Sequence, residues 1–449
     1  MQINTYKSLC PFHFFFSTIH HDMFSRKCQE FYWACEKGNL ELVQSMMEEY
    51  LKSQTEYLDE PFYPNAMPNK ENMTPFHVAC HNGHAHVVKY LMNIDAIFKH
   101  GRDWEYDTPL ISACKNGHVG VVSLLLSLEG LIPNLRNLTG WTALHYASGE
   151  GFSEIVSILL SDPRVNPNIW AWTHLKTPLD VALNEKKNNV IELLVACERV
   201  DVNRESSIYY TPFIKAIDTC NERAVEILMS RKETDIFTPN SMGKTPLMVA
   251  CNRGLLNTVK RLILNGSQDL DKSGMNGNTP IALAIERSRR DIVKLIFAVF
   301  PGEINLNVNP VGDIRCTLRE VIQQMNISDQ YSQEHNEYID VLKRYAHSPG
   351  KTKLELMRDP IVDDVFFAFS VRLFALASMV STGELKITTD EKCDKEKVRF
   401  FNVTKGLPVE IKMLASSRAY RYKKTIFPSK DVVEAIRYLL RYFPERGAK

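Results

Sequence analysis

The chain has 449 residues, 44% of them hydrophobic, with 54 Lys plus Arg against 53 Asp plus Glu and a formal charge of +1. That length exceeds what one hydrophobic core usually serves, and the composition excludes wholesale disorder. Residues 349–449 carry 20 basic and 13 acidic groups, which leaves a net of −6 for residues 1–348 and excludes a nucleic-acid footprint over the bulk of the chain.

The first 27 residues read as an extension, with disorder as the expectation. An apolar stretch from Leu9 to Ile19 follows Lys7 as in a secretory signal, but Pro11 and His13 interrupt it and no small-residue cleavage site follows. Met23 offers a second reading, as the natural start. From Phe31 to Val43 an apolar pattern predicts a first, degenerate helix pair, followed by a longer loop through Asn65.

A period then sets in. Thr74, Thr108, Thr142, Thr177, Thr211, Thr245 and Thr279 open closely similar segments at intervals of 34, 34, 35, 34, 34 and 34 residues, the signature of a stacked repeat. Thr predicts a helix N-cap, because its hydroxyl accepts from a first-turn amide that otherwise lacks a partner. Pro follows six of the seven, at a position where its missing N–H costs nothing. Five residues after each Thr stands Ala, small enough for neighbouring helices to approach closely. Gly83, Gly117, Gly151 and Gly254, nine after the Thr, predict a left-handed end to the first helix. Lys186, Cys220 and Ser288 replace that Gly, so those repeats are expected to be weaker joints or to turn differently. A second apolar helix follows in each repeat, as in Val121-Val122 leading to Leu124-Leu125-Leu126.

The pattern T-P-L-H-x-A, then G-H and V-V-x-L-L, resembles the ankyrin repeat, and Thr142 to Leu160 is a close match. The resemblance implies an all-α ankyrin-repeat solenoid of about nine repeats over residues 28–348, with short hairpin-like loops and degenerate end repeats. It also implies a surface that binds protein, in a scaffold or adaptor without enzymatic activity.

Four of the five Trp fall in the loops just before a Thr: Trp104, Trp141, Trp170 and Trp172, joined there by Tyr106, Tyr209 and Tyr210. Trp and Tyr bury much area at little entropic cost, so these seven are the candidate protein contacts. Each has a second reading, inward packing against the adjacent loop.

Other chemistry finds little support. His77, His81, His84 and His86 suggest a metal, but two hold standard repeat positions and no acidic ligand completes a set. Cys35, Cys80, Cys114 and Cys251 share one register and read as small core residues, in keeping with a reduced, cytoplasmic location. Gly243-Lys244-Thr245 ends like a phosphate-binding loop, yet Thr238 stands where its first Gly belongs. No cofactor, metal or catalytic residue is expected, and the partner is a protein rather than nucleic acid or membrane, held by a monomeric array.

A worn last repeat begins near Thr317, with Leu318, Val321 and Ile322 in one helix and Tyr338, Ile339, Leu342 and Tyr345 in the next. Residues 349–449 then read as a small, mainly helical domain, basic in its second half. Leu407-Pro408-Val409-Glu410-Ile411 weakly resembles the opening of an F-box, which implies docking on a ubiquitin-ligase adaptor through Leu407, Pro408, Glu410 and Ile411. The other reading of this region is a cap that shields the last repeat.

Overall fold

At each Thr of the 34-residue register a helix begins, whereas Thr238-Pro239, outside that register, lies in a loop. The computed structural model describes residues 26–53, 62–69, 71–172, 175–206, 210–265, 274, 278–299, 333–356, 359–362 and 365. It divides into two compact units, Met1–Ile208 and Tyr209–Lys449. Among the described residues there are helices, turns and loops but no strand.

The N-terminal unit is a stack of helix pairs: α1 (Arg26–Lys37) with α2 (Leu40–Ser53), α3 (Pro75–His81) with α4 (Ala85–Met92), α5 (Pro109–Lys115) with α6 (Val119–Leu126), α7 (Ala143–Glu150) with α8 (Ser153–Ser161), and α9 (Pro178–Asn184) with α10 (Asn188–Ala196). First helices pack in the order α1, α3, α5, α7, α9, and second helices in the order α2, α4, α6, α8, α10. The C-terminal unit repeats the scheme with α11 (Pro212–Asp218) and α12 (Glu222–Ser230), α13 (Pro246–Arg253) and α14 (Leu256–Asn265), and α15 (Pro280–Glu286) and α16 (Arg290–Val299). After them come α17 (Gln333–His347) and α18 (Pro349–Leu356), both packed on α16.

Each start is held by the same interaction. The hydroxyls of Thr74, Thr108, Thr177, Thr211, Thr245 and Thr279 each accept from the amide three residues on at 3.2 Å. At Thr142, which Ala143 follows instead of Pro, His145 Nδ1 takes over by accepting from the Thr142 amide at 3.1 Å. The seven register alanines, Ala79 to Ala284, are wholly buried, as are Cys35, Cys80, Cys114 and Cys251. Burial raises the pKa of all four of these thiols, so they stay protonated core residues.

Polar side chains then tie repeat to repeat. The guanidinium of Arg164 donates to the carbonyls of Leu126, the last residue of α6, and Leu128, and that of Arg199 to those of Leu160, in the last turn of α8, and Val165. Both satisfy helix-end carbonyls that have no partner within their own helix. Asn134 and Asn168 each hook the following loop twice, through the Asn166 amide and Arg164 carbonyl and through the Asp201 amide and Arg199 carbonyl. In the C-terminal unit Arg253 pairs with Asp218 at 2.6 Å, and the ring of Tyr345 on α17 stacks on Phe297 at 3.7 Å. The buried Ile339, Leu342 and Tyr345 lie on the second helix expected there. The start of that last repeat, near Thr317, lies outside the described residues.

Of the two expectations for the repeats without a turn Gly, a different turn is absent. Lys186, Cys220 and Ser288 have φ of 53, 53 and 52°, left-handed like Gly83, Gly117, Gly151 and Gly254 at 78–88°. A side chain in that conformation costs on the order of 1 kcal/mol. Glycine is required for a second reason at Gly83, where a Cβ would lie 2.4 Å from the His118 ring. Replacing Lys186 with Gly should therefore raise stability by up to about 1 kcal/mol, whereas Gly83→Ala should lower it by at least that much, both read from urea-unfolding midpoints.

Candidate functional site

The loops before four of the seven Thr are fingers built on one polar residue. Asn69, Asp103, Asn137 and Asn240 stand five residues ahead of a Thr. Asp103 Oδ1 accepts from the amides of Glu105 at 2.9 Å and Asp107 at 2.7 Å. Asn137 Oδ1 does the same for Thr139 and Trp141, and Asn240 Oδ1 for Met242 and Lys244. The root amide donates to the carbonyl four residues on, Asp103 to Asp107 at 3.1 Å and Asn137 to Trp141 at 3.0 Å. Each loop is thereby closed before any neighbour is considered.

The fingers of the N-terminal unit are then bonded into a row. The Trp104 amide donates to the Glu71 carbonyl at 3.0 Å, Leu138 to Glu105 at 3.0 Å, and Trp172 to Thr139 at 3.1 Å. The three donors stand 34 residues apart, Trp104 and Leu138 directly after a polar root and Trp172 after Ala171, and they are 57, 54 and 57% exposed. Trp172 lies over Gly140, where a Cβ would come 2.4 Å from the Trp172 nitrogen and 2.8 Å from its ring.

The third residue after the root needs a left-handed backbone. Asn72, Gly140 and Gly243 supply it with residues that tolerate it; Tyr106 does so at φ 63° with its ring 42% exposed and the Arg102 guanidinium 5.6 Å from the ring centroid.

Behind the second finger lies a polar cluster. Lys115 Nζ sits 3.0 Å from Glu105 and 3.4 Å from Asp107, and 5.2 Å from the Tyr146 ring centroid. Asn137 Nδ2 donates to Asp107 Oδ1 and to the Tyr146 hydroxyl, both at 2.9 Å, which binds the third finger to the second. Burial, reinforced by the neighbouring Asp107 and Glu105 charges and opposed by its two amide donors, moves the Asp103 carboxyl up from its ordinary 3.8 to about 6.

The seven candidate aromatics do not share one environment. Trp104, Tyr106 and Trp172 stand exposed on the finger row, and Trp170 is partly covered by the Arg204 guanidinium, 4.0 Å from its ring centroid. Trp141 is half-buried against Tyr146, 4.9 Å between centroids, and against His145 at 5.7 Å. Tyr210 belongs to the C-terminal unit, half-buried beside Lys215. Tyr209, Leu407, Pro408, Glu410 and Ile411 lie outside the described residues.

The histidines are engaged within the fold. His77 Nε2 meets Ser112 Oγ at 2.7 Å, and His84 and His86 bond the carbonyls of Glu36 and Gly38 at 2.8 Å. His81 Nδ1 is 3.3 Å from the Asn116 amide nitrogen. Burial, with a smaller push from His81, lowers His77 to about 3, and burial likewise takes His145 to about 4, so both are neutral hydrogen-bonding groups. Among the described residues no cluster of His, Cys, Asp or Glu could hold a metal, and no helix is long and apolar enough to cross a membrane.

The sequence reading passed over the finger roots and Leu138. Their signal is the recurrence of Asp or Asn five residues before Thr74, Thr108, Thr142 and Thr245.

A family model for ankyrin repeats, spanning three copies, matches residues 31–137, 97–171, 124–206 and 213–309. Among solved structures, the ankyrin repeat domain of Bcl-3, a unique member of the IkappaB protein family, is similar over 50% of this chain and 100% of its own, at 24% identity and a TM-score of 0.46. None of the curated proteins compared matches.

The raised Asp103 gives a pH-dependent prediction. Its protonated form is favoured by folding, so the stability it contributes is complete below about pH 3.8 and is lost as pH rises through about 6. Asp103→Asn keeps the accepting oxygen that three sister fingers use and removes the buried charge. It should stabilise the protein by about 1–2 kcal/mol at pH 8, with the gain shrinking below pH 6 and gone near pH 4 in unfolding curves taken across that range.

Proposed function

Because this chain belongs to the ankyrin-repeat family, whose repeats are generally protein–protein interaction modules, we propose that it is a non-enzymatic adaptor that holds a protein partner on the finger row and adjoining inner helices of its N-terminal unit. The observation that carries this reading is Tyr106. A bulky residue in left-handed backbone costs on the order of 1 kcal/mol where Gly or Asn would cost little, and at the matching position the neighbouring fingers use Asn72 and Gly140. Leu175, in the loop of Trp172, is left-handed and exposed as well (φ 45°), and backbone cost retained at exposed bulky residues of this surface argues for a use outside the fold.

Trp104, Leu138 and Trp172 support it from the same side. Three large apolar side chains at one register, each more than half exposed, give no packing return within the monomer. Their backbones are already bonded finger to finger, so a partner would meet a row whose ordering cost was met on folding. Trp170 fits the same use, while Trp141, packed on Tyr146, serves the row from behind.

Affinity capture with the full chain tests this. Trp104→Ala combined with Trp172→Ala should leave the unfolding midpoint unchanged and cost about 2 kcal/mol or more in binding, roughly 30-fold, with loss of the partners enriched by the parent chain. Trp141→Ala should instead lower stability first. Partners retained in full by the Trp104→Ala, Trp172→Ala double variant would place the contact elsewhere.

A further inference from the structure

The finger row has an uncommitted charge. Arg102 and Arg136 hold one register, directly before the roots Asp103 and Asn137, and among the described residues neither pairs with a carboxylate. In the next finger that register holds Trp170, and the Arg204 guanidinium lies over its ring at 4.0 Å while donating through one nitrogen to the Asn168 carbonyl at 3.2 Å, without a carboxylate partner among the described residues. A guanidinium thus accompanies each of three consecutive fingers. The carboxylates of the second finger are already engaged. Glu105 and Asp107 pair with Lys115, and Asp103 is committed to the Glu105 and Asp107 amides.

We propose that the partner segment held on this row is acidic: a stretch of polypeptide long enough to cross three fingers, with carboxylates that meet Arg102, Arg136 and Arg204 and apolar side chains that cover Trp104, Tyr106 and Trp172. The inference rests on the finger-row reading above and gives the partner its chemistry. Guanidinium groups bind carboxylates through two parallel N–H donors, and a guanidinium stacked on an aromatic face keeps those donors in its plane. Apolar segments between the acids are required because the exposed indoles gain nothing from charge alone. A single nucleic-acid strand also offers anions and stacking faces. It needs a continuous basic track, however, and residues 1–348 carry a net charge of −6, with Glu71 exposed on the first finger.

Peptide display against the purified full chain, followed by fluorescence titration of the selected peptides, tests the inference. The expected peptides carry at least two Asp or Glu with aromatic or aliphatic residues between them. Arg102→Glu with Arg136→Glu should weaken them about tenfold or more, Arg→Lys at both positions by less, and neither pair should move the unfolding midpoint. Peptides without acidic residues, or held equally by the Arg102→Glu, Arg136→Glu variant, overturn the acidic partner. If those peptides still depend on Trp104 and Trp172, the finger-row reading survives alone. Peptides indifferent to both pairs of substitutions overturn the finger row and this inference together. Failure to select any peptide, or displacement of the selected ones by a tighter-binding single-stranded oligothymidylate, also overturns it.

Discussion

The second and third fingers of the N-terminal unit turn so tightly that amides face inward, and the oxygen of Asp103 or Asn137 at the root accepts two of them. A buried amide left without a partner costs about 1–3 kcal/mol. One side chain therefore decides whether the loop is a defined object or a collapsed one. Where Asp103 and Asn137 close their loops, the residues that follow can bond to the finger before them, as Trp104 does to Glu71 and Leu138 to Glu105. The exposed aromatic row exists because its backbone has nowhere else to go.

The helices set the spacing on which that row depends. Thr caps fix where each first helix begins, and the buried Ala five residues on lets the next repeat approach, so successive fingers arrive at one register. Local interactions define each repeat, and nearest-neighbour ties, such as Arg164 on the α6 carbonyls and Asn137 on Asp107, define the stack. A change at one finger is then felt by its neighbours and fades beyond them.

The repeat was legible in the sequence because its requirements are local. Thr followed by Pro at a fixed interval marks a helix start, and Ala at a fixed offset needs no knowledge of the neighbour. The surface was legible in part. Trp104, Tyr106 and Trp172 were identified by type and place, but a Trp alone does not say which way it faces. Trp141 lies in the same stretch of loop, yet its ring turns inward on Tyr146, a residue of the following helix that linear spacing does not relate to it. Whether Lys186, Cys220 and Ser288 would turn left-handed at a cost or turn differently was left open by the sequence, and all three turn as glycine does, a conformation the residues themselves disfavour. The finger roots went unnoticed because Asp and Asn are ordinary in loops; only their offset from Thr marks them.

Strain at Tyr106, exposed indoles and guanidinium groups without carboxylate partners among the described residues coincide on one row. The account's central claim is that this row is formed in advance of any partner. Residue-resolved hydrogen exchange on the full chain alone examines it most directly, through the Trp104, Leu138 and Trp172 amides that bond finger to finger. Protection comparable to that of the α5 and α7 helix amides is the predicted result. Exchange at the rate of an unstructured peptide would mean that the fingers form only on binding, and would contradict the account.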